Sequence, residues 1–338
     1  MTVPTPGKDV QSVLRLTEMA DYIVPFTLRA ICDLRVADHL AGGPRPIDEL
    51  ARLTGTHAPT LQRALRALAC KGVFTEVADG VFGLTPLAEP LRSDHPLSLR
   101  EAYPLLAPEI VAWASFDHSL RTGEACFEEA HGKSFWQYMA EHPRDSARFD
   151  ASQQAVTRRE LRSALPAYDW ESFGTVVDVG GGNGAFLAGL LAQYPSLRGV
   201  VFDQPHVVSA AGRVLAEAGV ADRCEVAGGS FFESVPAGGD AYLLKRVLYD
   251  WNDDRAVELL RVVRAGMHGD SRLLVIEPVI EPGNEFGWGK LYDLLLVAMG
   301  GGGARTQECL AELFAKADLE LVRVVHTKRL PIVEARPT

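Results

Sequence analysis

Val176-Val177-Asp178-Val179-Gly180-Gly181-Gly182-Asn183-Gly184 is the stretch whose reading decides the fold of this chain. Val176, Val177 and Val179 are β-branched and suit a short buried strand, and three consecutive glycines then let the backbone turn sharply and approach a ligand closely. Ala185 to Gln193 follows with helical periodicity, with Phe186, Leu187, Leu190 and Leu191 on one apolar face. A strand, a glycine turn and a helix start make a nucleotide-type pocket, because the first helical N–H groups and the helix dipole point at whatever binds there.

Gly180-x-Gly182-x-x-Ala185 also satisfies the loose dinucleotide fingerprint. Two acids argue for a different ligand. Asp178, two residues before the first glycine, can accept hydrogen bonds from an ammonium group but gains nothing beside a pyrophosphate. Asp203 closes the next apolar strand, Val200-Val201-Phe202-Asp203, where a carboxylate suits two ribose hydroxyls. An adenosine that carries an amino acid fits both acids better than a dinucleotide does.

A length of 338 residues implies two domains, and 47% hydrophobic with 23% charged residues is ordinary for a globular protein. The net charge of −10 argues against a general phosphate-binding surface, which needs clustered Lys and Arg. Cys32, Cys70, Cys126, Cys224 and Cys309 are scattered, with no Cys-x-x-Cys pair, a pattern of free thiols without a zinc site or disulfide frame. No metal is expected. Only Met1 to Asp9 reads as a disordered tail, and neither a signal-type N-terminus nor a membrane-length apolar run is present, so the expectation is a cytoplasmic protein with no membrane partner.

The expected domains are an N-terminal helical and winged-helix unit (1–97), a helical linker (98–171) and a ligand-binding α/β unit (172–338). From Val13 to Leu40 the pattern is helical, with Pro25 expected to separate two helices; Leu14, Leu16, Met19, Ile23, Phe26, Ile31, Leu34 and Leu40 exceed one buried stripe. A homodimer interface is expected there, the bland alternative being packing within the chain. Ile47 to Leu53, a turn at Gly55, Ala58 to Lys71, and strands Val73 to Glu76 and Val81 to Leu84 read as a winged helix. Such a module often enters a DNA major groove, and Arg63, Arg66 and Lys71 lie on its second helix, so a DNA-binding regulator is an alternative; the acidic composition weighs against nucleic acid. Leu97 to Tyr168 is helical and aromatic, with Tyr103, Trp113, Phe116, Phe127, Phe135, Trp136, Tyr138 and Phe149 as core or as walls for a flat substrate, and His118 and His131 as structural contacts. Strands are predicted at 175–179, 199–203, 223–227, 240–245 and 272–277, with a final antiparallel pair near 319–325 and 331–335: a parallel sheet covered by helices, with one reversed strand.

With these residues in hand, the chain resembles the class I S-adenosylmethionine-dependent O-methyltransferases of the caffeate and hydroxyneurosporene type, in the bacterial branch acting on aromatic polyketides and other secondary metabolites, including anthracycline and enediyne pathways. The likeness runs through Leu28 to Leu40, the winged helix, Phe149, Asp178 to Gly184, Phe202-Asp203, Gly229 to Phe232, Leu244 to Trp251, Glu277 and the Gly-Gly-Gly-Ala304-Arg305-Thr306 run. It implies a Rossmann-like methyltransferase sheet, a winged helix turned to dimerisation, and a small aromatic acceptor. It also implies that Gly180 and Gly182 lie against the methionine part of the cofactor, Asp203 holds the ribose, Gly229, Ser230 and Phe231 frame the adenine, and Lys245 sits beside the cofactor. Trp136, Phe149, His131 and Asp293 are the candidate acceptor-binding residues.

Two departures bear on chemistry. The family's plant members place a histidine base before Asp-Trp, where this chain has Tyr249, and a glutamate before Arg-Thr, where it has Ala304. Tyr249, Asp250 and Glu277 are then the catalytic candidates. A tyrosine is a poor base at neutral pH, which leaves proximity with an acidified phenol, another base such as His131 or Glu277, or an acceptor already ionised. The reading favoured is proximity; a homologue that binds S-adenosylmethionine without methylating, as a scaffold or hydroxylase, is the alternative.

Overall fold

The computed structural model describes residues 6–102 and 106–338, so Met1 to Thr5 of the expected tail and Tyr103 lie outside the described residues. The chain divides into two compact units, Met1–Leu106 with Ala147–Ala155, and Ala107–Ser146 with Val156–Thr338.

In the first unit Pro6 to Asp9, expected as part of a disordered tail, belong to helix Pro6–Met19. A second helix spans Ile23–Asp33. The break between them falls before Pro25, at Asp21, whose carboxylate oxygens accept the N–H groups of Ile23 and Val24 at 2.8 and 2.9 Å. Pro25 sits in the first turn of the second helix, where a missing N–H loses no intrahelical bond, so it starts the helix and does not divide it. Ile31 and Leu40 are buried with Leu50, Leu61, Leu65, Leu68, Phe74 and Phe82 in one core. Val13, Leu14, Leu16, Met19, Ile23 and Phe26 are exposed, the outward apolar face that the sequence anticipated. Helices Ile47–Thr54 and Ala58–Ala69 flank Gly55, whose φ of 65° ends the first of them. Strands β1 (Arg45–Pro46), β2 (Phe74–Ala78) and β3 (Val81–Leu84) form an antiparallel sheet in the order β1-β3-β2. β1 is too short to leave an alternation in the sequence.

The second unit is built on seven strands, β4 (Thr175–Val179), β5 (Arg198–Asp203), β6 (Cys224–Gly228), β7 (Ala241–Lys245), β8 (Arg272–Ile276), β9 (Leu319–Val325) and β10 (Ile332–Pro337). Their order is β6-β5-β4-β7-β8-β10-β9. β4 to β8 pair in parallel, and β10 runs antiparallel to both β8 and β9, which makes it the one reversed strand. Alternate residues feed two apolar layers: Val177, Val179, Tyr242, Leu244 and Val275 enter one, and Val176, Val201, Leu243, Leu274 and Ile276 the other. The chain leaves β4 toward β5 and β6, then returns to place β7 and β8 on the other side. The carboxyl end of β4 therefore lies at a topological switch point, where open α/β sheets bind ligands.

The second helix of the winged-helix unit ends at Ala69 and not at Lys71, and two cations on and just after it bear on the DNA-binding alternative. Arg66 donates to Glu76 and Asp79, and Lys71 Nζ lies 2.8 Å from Glu18 Oε1. Charges already paired in the chain release few counterions on meeting a phosphate. We expect no retardation of duplex DNA in a salt-titrated shift assay; retardation at low salt that fades steeply as salt rises would reverse that reading.

Candidate active site

The parallel strands carry the predicted ligand-binding residues to one edge of the sheet. Gly180 follows β4, Asp203 ends β5, Gly229 follows β6, Lys245 ends β7 and Glu277 follows β8. Pairing fixes their heights, with Asp203 opposite Gly228 and Lys245 opposite Ile276. The turn after β4 needs its glycines for two reasons. Gly180 and Gly182 have φ of 72° and 60°, and a Cβ at Gly180 would come within 2.6 Å of Val247 Cγ2, one at Gly181 within 2.9 Å of the Asp178 carboxylate. The Gly180 N–H donates to Phe202 O at 2.8 Å, and the Gly182 N–H to Asp203 Oδ2 at 2.9 Å. Asp203 Oδ1 accepts the Gln204 N–H at 2.7 Å, so one acid braces the turn and keeps lone pairs for a ligand.

Asp178 lies beneath this turn, 1% exposed, with neither carboxylate oxygen hydrogen-bonded among the described residues. Burial pushes its pKa up to about 7, against the pull of Lys245 and with the push of Asp203. A buried acid without donors is costly unless something supplies them, and an ammonium group is a donor set of that kind. Gly229 passes so close to the Phe202 ring that a Cβ would lie 2.8 Å from it. Ser230 Oγ accepts the Phe232 N–H at 3.3 Å, which starts a turn that carries Phe231 edge-on to Phe232 and Trp251.

A second set gathers after β7. Tyr249 is 7% exposed; its N–H donates to Glu277 Oε2 at 3.1 Å, and its carbonyl accepts the Gly303 N–H at 2.9 Å. Gly302 must be glycine here, since a Cβ would come within 2.2 Å of Tyr249 O. Arg305 binds the carbonyls of Leu248 and Trp251 at 3.2 and 2.7 Å and Asp253 at 2.9 Å, so the whole Leu248–Asp250 turn is gripped from the glycine run. Burial raises the Tyr249 hydroxyl, and burial with Glu277 nearby raises Asp250 well above the carboxylate range. Burial also lifts Glu277 to about 7, opposed by Arg305.

Sequence reading missed Glu160, Arg246 as a contact residue, and Tyr292. Arg246 Nε donates to Glu160 Oε1 at 2.7 Å, and Lys245 Nζ lies 3.5 Å from Glu160 Oε2 and 3.3 Å from Thr157 Oγ1. Glu160 lies 86 positions before Arg246 on a strongly charged helix, Pro143–Ala164, where acids ordinarily face water; nothing local marks it.

The acceptor candidates are more scattered. His131 Nε2 lies 2.9 Å from Pro108 O, and its ring packs on Phe127 and Tyr138. One nitrogen is thereby committed to a backbone carbonyl. Trp136 is 49% exposed on helix Phe135–Glu141. Asp293 Oδ1 accepts the Ala304 N–H at 3.1 Å and so braces the loop in which the plant glutamate would stand. Phe149 belongs to the first unit. Cavities of about 530 Å³ beside His118 and Asn252, and about 350 Å³ beside Tyr168 and Arg323, contain none of the strand-edge residues.

The profile of the O-methyltransferase domain matches residues 113–320, and that of the O-methyltransferase dimerisation domain matches residues 16–94. The chain belongs to the O-methyltransferase family. It is 43% identical over 328 residues to phenazine O-methyltransferase PhzM of Lysobacter antibioticus, covering 96% of each chain. Its fold superposes on the crystal structure of LaPhzM with a TM-score of 0.91, covering 97% of this chain and 99% of that one. It also matches the neocarzinostatin O-methyltransferase NcsB1, solved with S-adenosylmethionine and 2-hydroxy-5-methyl naphthoic acid, at 36% identity and a TM-score of 0.82, covering 96% and 98%. Among the described residues no group of three or more His, Cys, Asp and Glu is placed to hold a metal ion, and no helix is long and apolar enough to cross a membrane.

The two raised acids make stability depend on pH with a defined sign. Asp178 and Glu277 move from ordinary values of 3.8 and 4.5 to about 7, so at intermediate pH the folded methyltransferase keeps protons that the unfolded chain has released. That stabilisation is full below the ordinary values and is lost as pH rises through about 7. We expect the unfolding free energy of the ligand-free protein, measured in urea, to fall over this window, and Asp178→Asn to reduce the fall by on the order of 1–4 kcal/mol. An unchanged pH dependence in the Asn variant would show that Asp178 is ionised throughout.

Proposed function

We propose that this family member methylates a hydroxyl of a small aromatic or polyketide acceptor in antibiotic-type secondary metabolism, as a homodimer that uses S-adenosylmethionine and releases S-adenosylhomocysteine. The observation that carries the reading is the Asp178 carboxylate, without a donor among the described residues, under a glycine turn at the switch point, one strand from Asp203. When bound, S-adenosylmethionine supplies an electrophilic methyl group. Asp178 would take the ammonium end, Gly180 and Gly182 would lie against the methionine part, and Asp203 would hold the ribose. Gly229, Ser230 and Phe231 would frame the adenine, with Ser230 offering a hydroxyl, and Lys245 would sit beside the cofactor.

On the acceptor side, Tyr249 and Asp250 shape the site and hydrogen-bond the acceptor, and Glu277 holds the Tyr249 turn through its N–H. Tyr249 is no base, because burial raises its hydroxyl further from neutrality. Catalysis then rests on orientation, for which effective molarities of about 10⁵ M or more are available. Acceptor contacts at Trp136, Phe149, His131 and Asp293 rest on the sequence.

Labelled S-adenosylmethionine incubated with a panel of phenols and aromatic acids tests the reading directly; tight cofactor binding with no labelled ether or ester would favour a non-methylating homologue. Calorimetry should show uptake of S-adenosylhomocysteine and indifference to NAD, and the reverse would remove the assignment. Protonation of Asp178 competes with an ammonium ligand, so each pH unit below about 7 should weaken that binding by up to about tenfold, a slope that Asp178→Asn should flatten. At a pH where the acceptor is already ionised, Tyr249→Phe should keep more than about a tenth of wild-type turnover; near-complete loss there would contradict orientation as the main source of rate.

A further inference from the structure

The guanidinium of Arg246 organises two hydroxyl groups at once. Its Nη1 donates to Tyr249 Oη at 3.2 Å and its Nη2 to Tyr292 Oη at 3.3 Å, while its carbon lies 5.0 Å from the Tyr292 ring centre. An arginine has only donors, so both phenols must act as acceptors toward it. Each keeps one proton, and among the described residues neither proton has an acceptor. Behind the guanidinium, Glu160 Oε1 lies 2.6 Å from Nη2 and its side chain is 3% exposed against 10% for Arg246. Burial alone would raise Glu160, but Arg246 and Lys245 outweigh it and hold the carboxyl below its ordinary value. Arg246 also has a φ of 57°, the left-handed region, with its N–H fixed to Ile276 O at 3.0 Å. Such a backbone is strained for a residue with a side chain, and a buried ion pair adds little net stability, so fold stability does not account for the arrangement.

We propose that Tyr249 and Tyr292, with their hydroxyl protons turned outward by Arg246, form an oxyanion subsite that takes the acceptor's hydroxyl as a phenolate. The inference rests on the O-methyltransferase reading and adds to it a way to ionise the acceptor without a base. Arg246 and Glu160 are positioning residues in it: the cation polarises both hydroxyls and the acid holds the cation. The other charged and titratable groups around the subsite are Asp250, which faces Tyr249, and Glu277, which faces Asp250. Both acids have raised pKa values, so near neutrality they add less negative charge against a phenolate than ordinary carboxylates would.

The probe is 4-nitrophenol, whose phenol and phenolate differ in colour, titrated by absorbance against the full protein loaded with S-adenosylhomocysteine. The bound probe should ionise about 1–3 pH units below the free probe. That displacement should shrink in Tyr249→Phe and in Tyr292→Phe and vanish in the double variant, with S-adenosylhomocysteine bound as in the wild type. If the double variant loses the nucleoside, the single Tyr292→Phe variant decides. Failure of wild-type protein to bind S-adenosylhomocysteine would sink the methyltransferase reading itself. Nucleoside binding with no saturable probe binding, with the probe ionising as in water, or with the displacement kept in the Phe variants, would overturn the subsite alone.

Discussion

The close approach of the β4 turn to the loop after β7 is the constraint on which the site depends. Gly180 lies so near Val247, and Gly181 so near Asp178, that no side chain fits at either place without displacing a neighbour. Because β4 and β7 are paired in parallel, their turns leave the sheet side by side, and the contact of Gly180 with Val247 fixes how the two leave it. Much of what the proposed chemistry requires is set by those two turns. Asp178 lies under the first and Asp203 accepts its Gly182 N–H, while Lys245, Arg246, Tyr249 and Asp250 lead into or belong to the second. The positions of reacting groups are thus set by strand register and close packing, which is where a displacement of about 1 Å can cost 10²-fold in rate.

Electrostatics completes what packing begins. Asp178, Asp203, Asp250 and Glu277 all have pKa values raised by burial, and Lys245 has a lowered one for the same reason. Groups of both signs are therefore held where their charged forms are penalised, and a ligand that brings complementary charge relieves the penalty. An ammonium or sulfonium beside Asp178 does so, whereas a pyrophosphate would add to it. The preference for an amino-acid-bearing nucleoside follows from the desolvated acid more than from the glycine pattern, which both ligand classes share.

That distinction also explains what was legible in the sequence. The parallel strands were readable as short apolar runs between turn residues, as in Val176 to Val179 and Leu273 to Ile276, and the final antiparallel pair because its connection is too short for a crossover. Asp178 and Asp203 were readable because a strand end fixes where a side chain emerges. Pro25 misled because proline suits a first helical turn as well as a break, and the deciding cap, Asp21, carries no apolar signal. Glu160 and Tyr292 were out of reach, since each meets Arg246 only through the tertiary fold, 86 and 46 positions away. His131 drew attention as a titratable group in an aromatic block, but its ring sits among aromatics with one nitrogen on Pro108.

Replacing histidine by Tyr249 changes where the acceptor's proton must go. A histidine removes it during reaction, whereas a buried tyrosine whose oxygen already accepts from Arg246 has little capacity to accept another proton. What such a tyrosine retains is a polarised O–H, and a polarised donor favours the ionised form of whatever oxygen meets it. On that reading the glutamate of the plant members would have no imidazole to orient here, and Ala304 closes the loop with its N–H on Asp293. Glu277 then holds the main chain of Tyr249 and leaves its hydroxyl to Arg246. In the proposed subsite both departures serve one shift, from removing a proton in the transition state to binding an oxygen that has already lost it.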